Sequence, residues 1–167
     1  MILALDGSTK STGYAIFDDL KLISYGCLTA SSTDVIKRIQ KIIKELNEKV
    51  LSKYDIEKVI IEEVRPEVTS GINNLRTHKV LMWLQAALEF LLHEKYPKAK
   101  IIYVYPSEWR KACGIHTGRG VKRNSLKEAD IAFVEQEYNI KVNDDEADAI
   151  GIGHAYVNNL NNEINWE

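Results

Sequence analysis

Ile2-Leu3-Ala4-Leu5-Asp6-Gly7-Ser8-Thr9-Lys10-Ser11-Thr12-Gly13-Tyr14-Ala15-Ile16-Phe17 opens the chain with an apolar run that ends on an acid. The run Ile2 to Leu5 reads as a buried strand, Gly7-Ser8-Thr9 as a tight turn, and Gly13 to Phe17 as the returning strand. Asp6 is thereby placed at a strand end. A carboxylate there costs free energy unless it is hydrogen-bonded, paired with a cation or bound to a metal. The simplest partner would be the backbone N–H groups of the turn that follows.

Outward from this pair, KLISYGCLTA (21–30) supplies a third strand, so residues 1–30 form an antiparallel meander. SSTDVIKRIQKIIKELNEKVL (31–51) begins with a Ser/Thr/Asp start signal. It carries Val35, Ile36, Ile39, Ile42, Ile43, Leu46 and Val50 at helical spacing, which predicts an amphipathic helix over the sheet. KVIIEEV (58–64) is a buried strand, Asn73 to Glu94 a long helix and AKIIYVY (99–105) a further strand. Pro106-Ser107-Glu108-Trp109 starts a short helix, Gly114 to Gly120 is a loop, and Ser125 to Tyr138 and Asp144 to Asn158 are helices. The order βββαβαβ followed by helices predicts an α/β fold with a mixed sheet of five strands.

The 167 residues suit a single domain with a substantial core, and 45% apolar with 28% charged residues is the balance of a globular chain. The N-terminus lacks a basic start and cleavage site, and the apolar stretch Val80 to Leu92 is interrupted by Gln85 and Glu89. Both features predict a cytoplasmic protein without a membrane partner. Cys27 and Cys113 stand far apart with no C-x-x-C spacing, which suggests neither a zinc site nor a disulfide framework. Net charge is −2, yet charge is segregated. Arg110, Lys111, Arg119, Lys122, Arg123 and Lys127 form a tract with no acid between Arg110 and Lys127, whereas Asp144, Asp145, Glu146 and Asp148 cluster.

Acids recur at three loci. Val59-Ile60-Ile61 runs into Glu62-Glu63, whose side chains alternate, so at most one of them shares a face with Asp6. In NDDEADAIGIGHAY (143–156), Asn143 with Glu146 at N3 is a capping box, and first-turn acids suit the helix dipole. Asp148 has no such account. It sits among Ala147, Ala149, Ile150, Gly151, Ile152 and Gly153, small or apolar residues expected where a helix lies close against a sheet. Asp144 and Asp145 both lie within reach of its face. Two strand-end carboxylates and a pair from a packed helix would form an oxygen-only cage for Mg²⁺. Two such ions can activate a water and stabilise the leaving oxygen in phosphodiester hydrolysis. The basic tract would then be a track for phosphates.

LALDGSTKSTGYAI (3–16), VIIEEV (59–64) and DEADAIGIGHA (145–155), in this order and spacing, resemble the RuvC Holliday junction resolvases, and among them the phage-encoded proteins of the lactococcal phage type. The resemblance implies a ribonuclease H-like fold over residues 1–167, a homodimer, and cutting of four-way DNA junctions into ligatable nicks. It implies two Mg²⁺ ions per site, with Mn²⁺ able to substitute. By motif position, the catalytic and metal-binding set is Asp6, Glu62, Asp145 and Asp148, which favours Glu62 over Glu63 and Asp145 over Asp144. Bacterial members often carry an aromatic three residues after the catalytic Glu, where this chain has Arg65. Arg contacts phosphate or stacks on a base but is a poorer apolar wedge, so cutting is expected to extend to forks and flaps. Arg65, Arg76, Arg119, Lys122, Arg123 and Lys127 are the residues expected to bind DNA.

Two alternatives compete. D-G-S-T followed by T-G also resembles the phosphate-binding turn of actin-like sugar kinases and ATPases, which clasp a nucleotide between two such domains and would leave Asp148 unexplained. A non-catalytic branched-DNA-binding dimer would be expected to lack one of the four acids. Leu81, Leu84, Leu88 and Leu91 mark one face of the long helix, with Met82, Trp83, Ala87 and Phe90 continuing around it. A helix apolar over so much of its circumference calls for two partners, the sheet and a second subunit. Nothing in the sequence points to an accessory motor protein.

Overall fold

The computed structural model describes residues 1–64, 72–118 and 121–160. Its strands are β1 (Ile2–Asp6), β2 (Ser11–Asp18), β3 (Lys21–Thr29), β4 (Lys58–Glu62) and β5 (Lys100–Val104). They form one sheet in the order β3-β2-β1-β4-β5. The β1–β2 and β2–β3 pairs are antiparallel, and β1–β4 and β4–β5 are parallel. The meander and the mixed five-stranded sheet are both as the sequence predicts.

The helices divide between the two faces. On one lie α1 (Val35–Glu45) and α2 (Ile72–Lys95), on the other α3 (Pro106–Ala112), α4 (Arg123–Tyr138) and α5 (Asp144–Ala155). The Asp34 carboxylate caps α1 by accepting from Ile36 N at 2.8 Å. The helix continues into a π-helical turn at Leu46–Leu51. Strand periodicity sorts the core. Leu3, Leu5, Val59 and Ile61 face α1 and α2, together with Ile42, Leu46, Leu84, Leu88 and Leu92. Ala4, Ile60, Ile102 and Val104 face the other way, with Trp109, Val134, Ala149, Ile150 and Ile152.

The close seating of α5 has a visible cause. A Cβ on Gly153 would lie 2.2 Å from the Phe17 ring, and one on Gly151 would lie 2.6 Å from the Trp109 ring. Both positions accept only hydrogen, which lets large rings of the sheet and of α3 pack against the helix backbone. The long helix α2 turns Leu84, Leu88 and Leu92 inward and leaves Met82, Trp83 and Phe90 exposed, Phe90 at 79%. Leu84 and Leu88 of the predicted face are buried, while Leu81 and Leu91 are only half-buried and Leu92 completes the inward stripe.

Candidate active site

Strand register brings the first two acids together. Leu5 pairs with Ile61 across the parallel β1–β4 ladder, so Asp6 and Glu62 are the next residues on adjacent strands. Both share the parity of Ala4 and Ile60, the face covered by α5, whereas Glu63 has the opposite parity. The third element arrives through Gly13, the register partner of Asp6. A Cβ on Gly13 would stand 2.0 Å from the Asp145 carbonyl oxygen, so the first turn of α5 rests directly on β2. Gly13→Ala is therefore expected to push the Asp145 end of α5 off the sheet. The cost is about 1–3 kcal/mol of overpacking, seen as a lower Tm in a thermal melt. An unchanged Tm would show that α5 is not anchored there.

The N-terminus of α5 has the expected capping box, with Asn143 Oδ1 accepting from Glu146 N at 2.9 Å and Asn143 N donating to Glu146 Oε2 at 3.0 Å. It separates the two candidate aspartates. Asp144 turns to Lys127 on α4 in an ion pair that holds its carboxyl below the usual range. Asp145 turns inward, where the Ser11 hydroxyl donates to its Oδ2 at 2.5 Å. Cys27 Sγ lies 2.8 Å from Ser11 Oγ, and burial pushes this free thiol up to about 11.

The carboxylates feel one another. Burial, then the Glu62 and Asp145 charges, push Asp6 up to about 8, with Arg110 and Lys127 partly opposing. Burial, then Asp6 and Asp130, push Asp148 up to about 9. Burial also raises Glu62, against the Trp109 indole N–H that donates to Glu62 Oε2 at 2.8 Å. Among the described residues, no three acidic, His or Cys side chains gather tightly enough to grip one ion, so the expected closed cage is instead a looser, coupled cluster. Glu62 is engaged by the Trp109 indole and Asp145 by the Ser11 hydroxyl. The donor set still fits a hard divalent cation. All four candidate ligands offer carboxylate oxygen, and buried Asp148 Oδ1 accepts no hydrogen bond.

The expected DNA-binding residues are only partly assembled. Arg65 and Arg119 lie outside the described residues. Arg76 is exposed near the start of α2, and Lys122 and Arg123 are exposed at the start of α4. Arg123 is near enough to Glu62 to lower its pKa. Within the basic tract, two of the cations are drawn into ion pairs. Arg110 is turned inward onto Asp130 and Asp148, and Lys127 is engaged by Asp144. Acids from α4 and α5, distant in sequence, supply the counter-charges that the tract itself lacks.

Several site residues escaped the sequence. Trp109 is fully buried, and its indole N–H also holds Glu62. Ser11 and Gly13 lie within the first motif and Arg110 within the basic tract, but no sequence signal assigned any of them a role beside the acids. Asp130 did leave a signal: it lies midway between Leu126 and Val134 at i, i+4 spacing, an acid on the apolar face of α4. His154 is buried with Nδ1 2.8 Å from the Tyr138 hydroxyl.

A family model described as crossover junction endodeoxyribonuclease RuvC matches residues 2–98. Thermus thermophilus RuvC in complex with Holliday junction substrate superposes with a TM-score of 0.69 at 15% identity, covering 93% of this chain and 90% of that one. A second Thermus thermophilus RuvC structure gives 0.64 at 16%, covering 93% and 92%. The yeast mitochondrial Holliday junction resolvase Ydc2 gives 0.54 at 16%, covering 93% and 77%. At these identities the likeness establishes the fold, which is ribonuclease H-like. A curated relative from Christiangramia forsetii, described as a candidate pre-16S rRNA nuclease, is 47% identical over 49 residues, or 29% of this chain. The match spans 35% of that relative's length.

Proposed function

The chain belongs to the RuvC family of crossover junction endodeoxyribonucleases, and on that footing we propose that it is an endonuclease that cuts branched DNA, four-way junctions foremost, by metal-dependent phosphodiester hydrolysis. The observation that carries this is the convergence of Asp6, Glu62, Asp145 and Asp148 from β1, β4 and α5 on one face of the sheet, coupled through their charges. These four would hold Mg²⁺, with Mn²⁺ an acceptable substitute, and two bound ions would supply an activated water and charge neutralisation at the leaving oxygen. The protein's own contributions are positional. Trp109 fixes the Glu62 carboxylate, Ser11 fixes Asp145, and the seating of α5 on Gly13 sets the distance between helix and strands. The phosphotransferase and binding-only alternatives have no comparable support, since the full acid set is present.

Arg65, Arg76, Arg119, Lys122, Arg123 and Lys127 would contact DNA, with Lys122 and Arg123 the best supported because both are exposed and Arg123 borders the acids. Lys122→Ala with Arg123→Ala is expected to weaken junction binding and to flatten its salt dependence by up to about 0.9 log unit for each phosphate that is no longer neutralised. Parallel plots of log affinity against log salt would show that these side chains neutralise no phosphate.

The three motifs support placing the chain with the phage-type members, as one nuclease domain over residues 1–167. The exposed Met82, Trp83 and Phe90 on α2 support a homodimer, since a face of this kind is costly in water. The test is a cleavage time course in Mg²⁺ on a synthetic four-way junction, beside a linear duplex of the same sequence and a structured RNA, with sedimentation of the same sample. Junction-selective cutting by a dimer is expected. Cutting of the RNA alone would favour the rRNA-processing activity suggested by the 49-residue relative, and a monomer would remove α2 as an interface.

A further inference from the structure

Arg110 is held between two acids of unequal claim. Its Nε donates to Asp130 Oδ1 at 3.1 Å and Oδ2 at 3.0 Å, and its Nη2 donates to Oδ2 at 2.9 Å, while its guanidinium lies 4.3 Å above the Trp109 ring. Asp130 is 1% exposed. A fork of this kind, made to a buried carboxylate, is a strong and directional interaction. The same Nη2 also stands 3.6 Å from Asp148 Oδ1, an ion pair too long for a hydrogen bond, and the Asp130 and Asp148 carboxyls are close enough to act on each other. Asp148 Oδ1 is the buried oxygen left without a hydrogen bond.

We propose that Asp130 is a positioning residue that restrains Arg110, keeping the guanidinium just short of Asp148 so that Asp148 Oδ1 stays available to a divalent cation. Without the restraint, Arg110 closes the gap, caps that oxygen with its own N–H and competes with the metal. The arrangement also explains why a cation tolerates a place beside the metal site. Asp130 offsets its charge, and the pair presents the site with little net field while filling the space under Trp109. The inference rests on the assignment of Asp148 as a metal ligand.

The test is calorimetric titration of Mn²⁺ into the DNA-free protein, so the readout is affinity and not activity. Asp130→Asn, nearly isosteric, is expected to weaken Mn²⁺ binding by roughly 10-fold or more, in the range usual for groups that orient metal ligands. Adding Arg110→Gln to that variant removes the competitor and is expected to restore binding toward the wild-type value. A merely structural Asp130 predicts the opposite, since the second substitution would compound the damage. Unchanged affinity in Asp130→Asn, or no recovery in the double variant, overturns the proposal. If Asp130→Asn fails to fold, as judged by circular dichroism, the double variant decides alone, because it lacks both buried charges. It must then bind Mn²⁺ about as tightly as the wild type, and weaker binding overturns the proposal. Wild type that binds no Mn²⁺ would overturn the metal-site assignment as well, which separates the two failures.

Discussion

Asp6→Asn and Asp148→Asn are each expected to abolish junction cleavage while making the metal-free protein more stable. Loss of about 4 kcal/mol of transition-state stabilisation, a reasonable share for one ligand of a catalytic metal site, is roughly a 10³-fold fall in rate. The stability gain has a separate origin. Both carboxyls are pushed far above their usual range by burial and by neighbouring acids, so their charged forms are resisted by the fold. Asn keeps the shape and removes that charge. Each kcal/mol relieved is worth about 2–4 °C in Tm for a chain of this size. Asp144→Asn is the contrast, because its partly exposed pair with Lys127 is worth at most about 1 kcal/mol and cleavage should persist. Cleavage rates and melting curves on the same preparations check both halves. Near-normal cutting by Asp6→Asn would remove Asp6 from the site.

Without metal, stability is expected to fall as pH rises through the range from about 4 to about 9. The sign follows from proton counting. Asp6 at about 8 and Asp148 at about 9 remain protonated in the folded chain over a range where an unfolded Asp, near 3.9, has already ionised. The folded state binds more protons there, so raising the pH favours unfolding until both groups have titrated. Below about pH 4 the two states match and these groups contribute nothing. A divalent cation favours the ionised forms and releases protons as it binds, so Mg²⁺ should flatten or reverse the slope. Melting curves at pH 5 and pH 9, with EDTA and with Mg²⁺, decide the matter. In EDTA, Asp6→Asn and Asp148→Asn should each lose part of the pH dependence. A wild type whose Tm in EDTA ignores pH would show that these acids are not buried together.

Much of this architecture is legible in the sequence because strand and helix periodicities are local. The run Ile2 to Asp6, the return from Gly13 and the strand ending at Glu62 follow from apolar patterning, and alternation admits only one of Glu62 and Glu63 to the face of Asp6; the resemblance favours Glu62, and the β1–β4 register sets it beside Asp6. The capping box at Asn143 and the small residues of α5 are equally readable. What sequence does not supply is pairing between distant elements. Arg110 reads as one cation of a DNA-facing tract until α4 brings Asp130 against it, and Trp109 reads as core until its indole N–H meets Glu62. Asp144 and Asp145 differ by one position, yet the helix turn points one at Lys127 and the other at Ser11. Resemblance favours the inward-facing one of the two, whereas dipole and capping arguments treat them alike. On α2 the apolar circumference is clear, but which stripe faces the sheet depends on packing at Leu84, Leu88 and Leu92.

The most direct measurement is ligation after cleavage. A four-way junction with labelled strands is treated with the wild-type protein and Mg²⁺, then with DNA ligase, and the fraction recovered as two intact linear duplexes is counted. Paired nicks at the branch, sealed by ligase with no further processing and absent when Asp6→Asn is used, are the predicted result. An uncut junction in both Mg²⁺ and Mn²⁺, or cut ends that ligase cannot seal, would contradict the assignment of these four acids to the resolution of branched DNA.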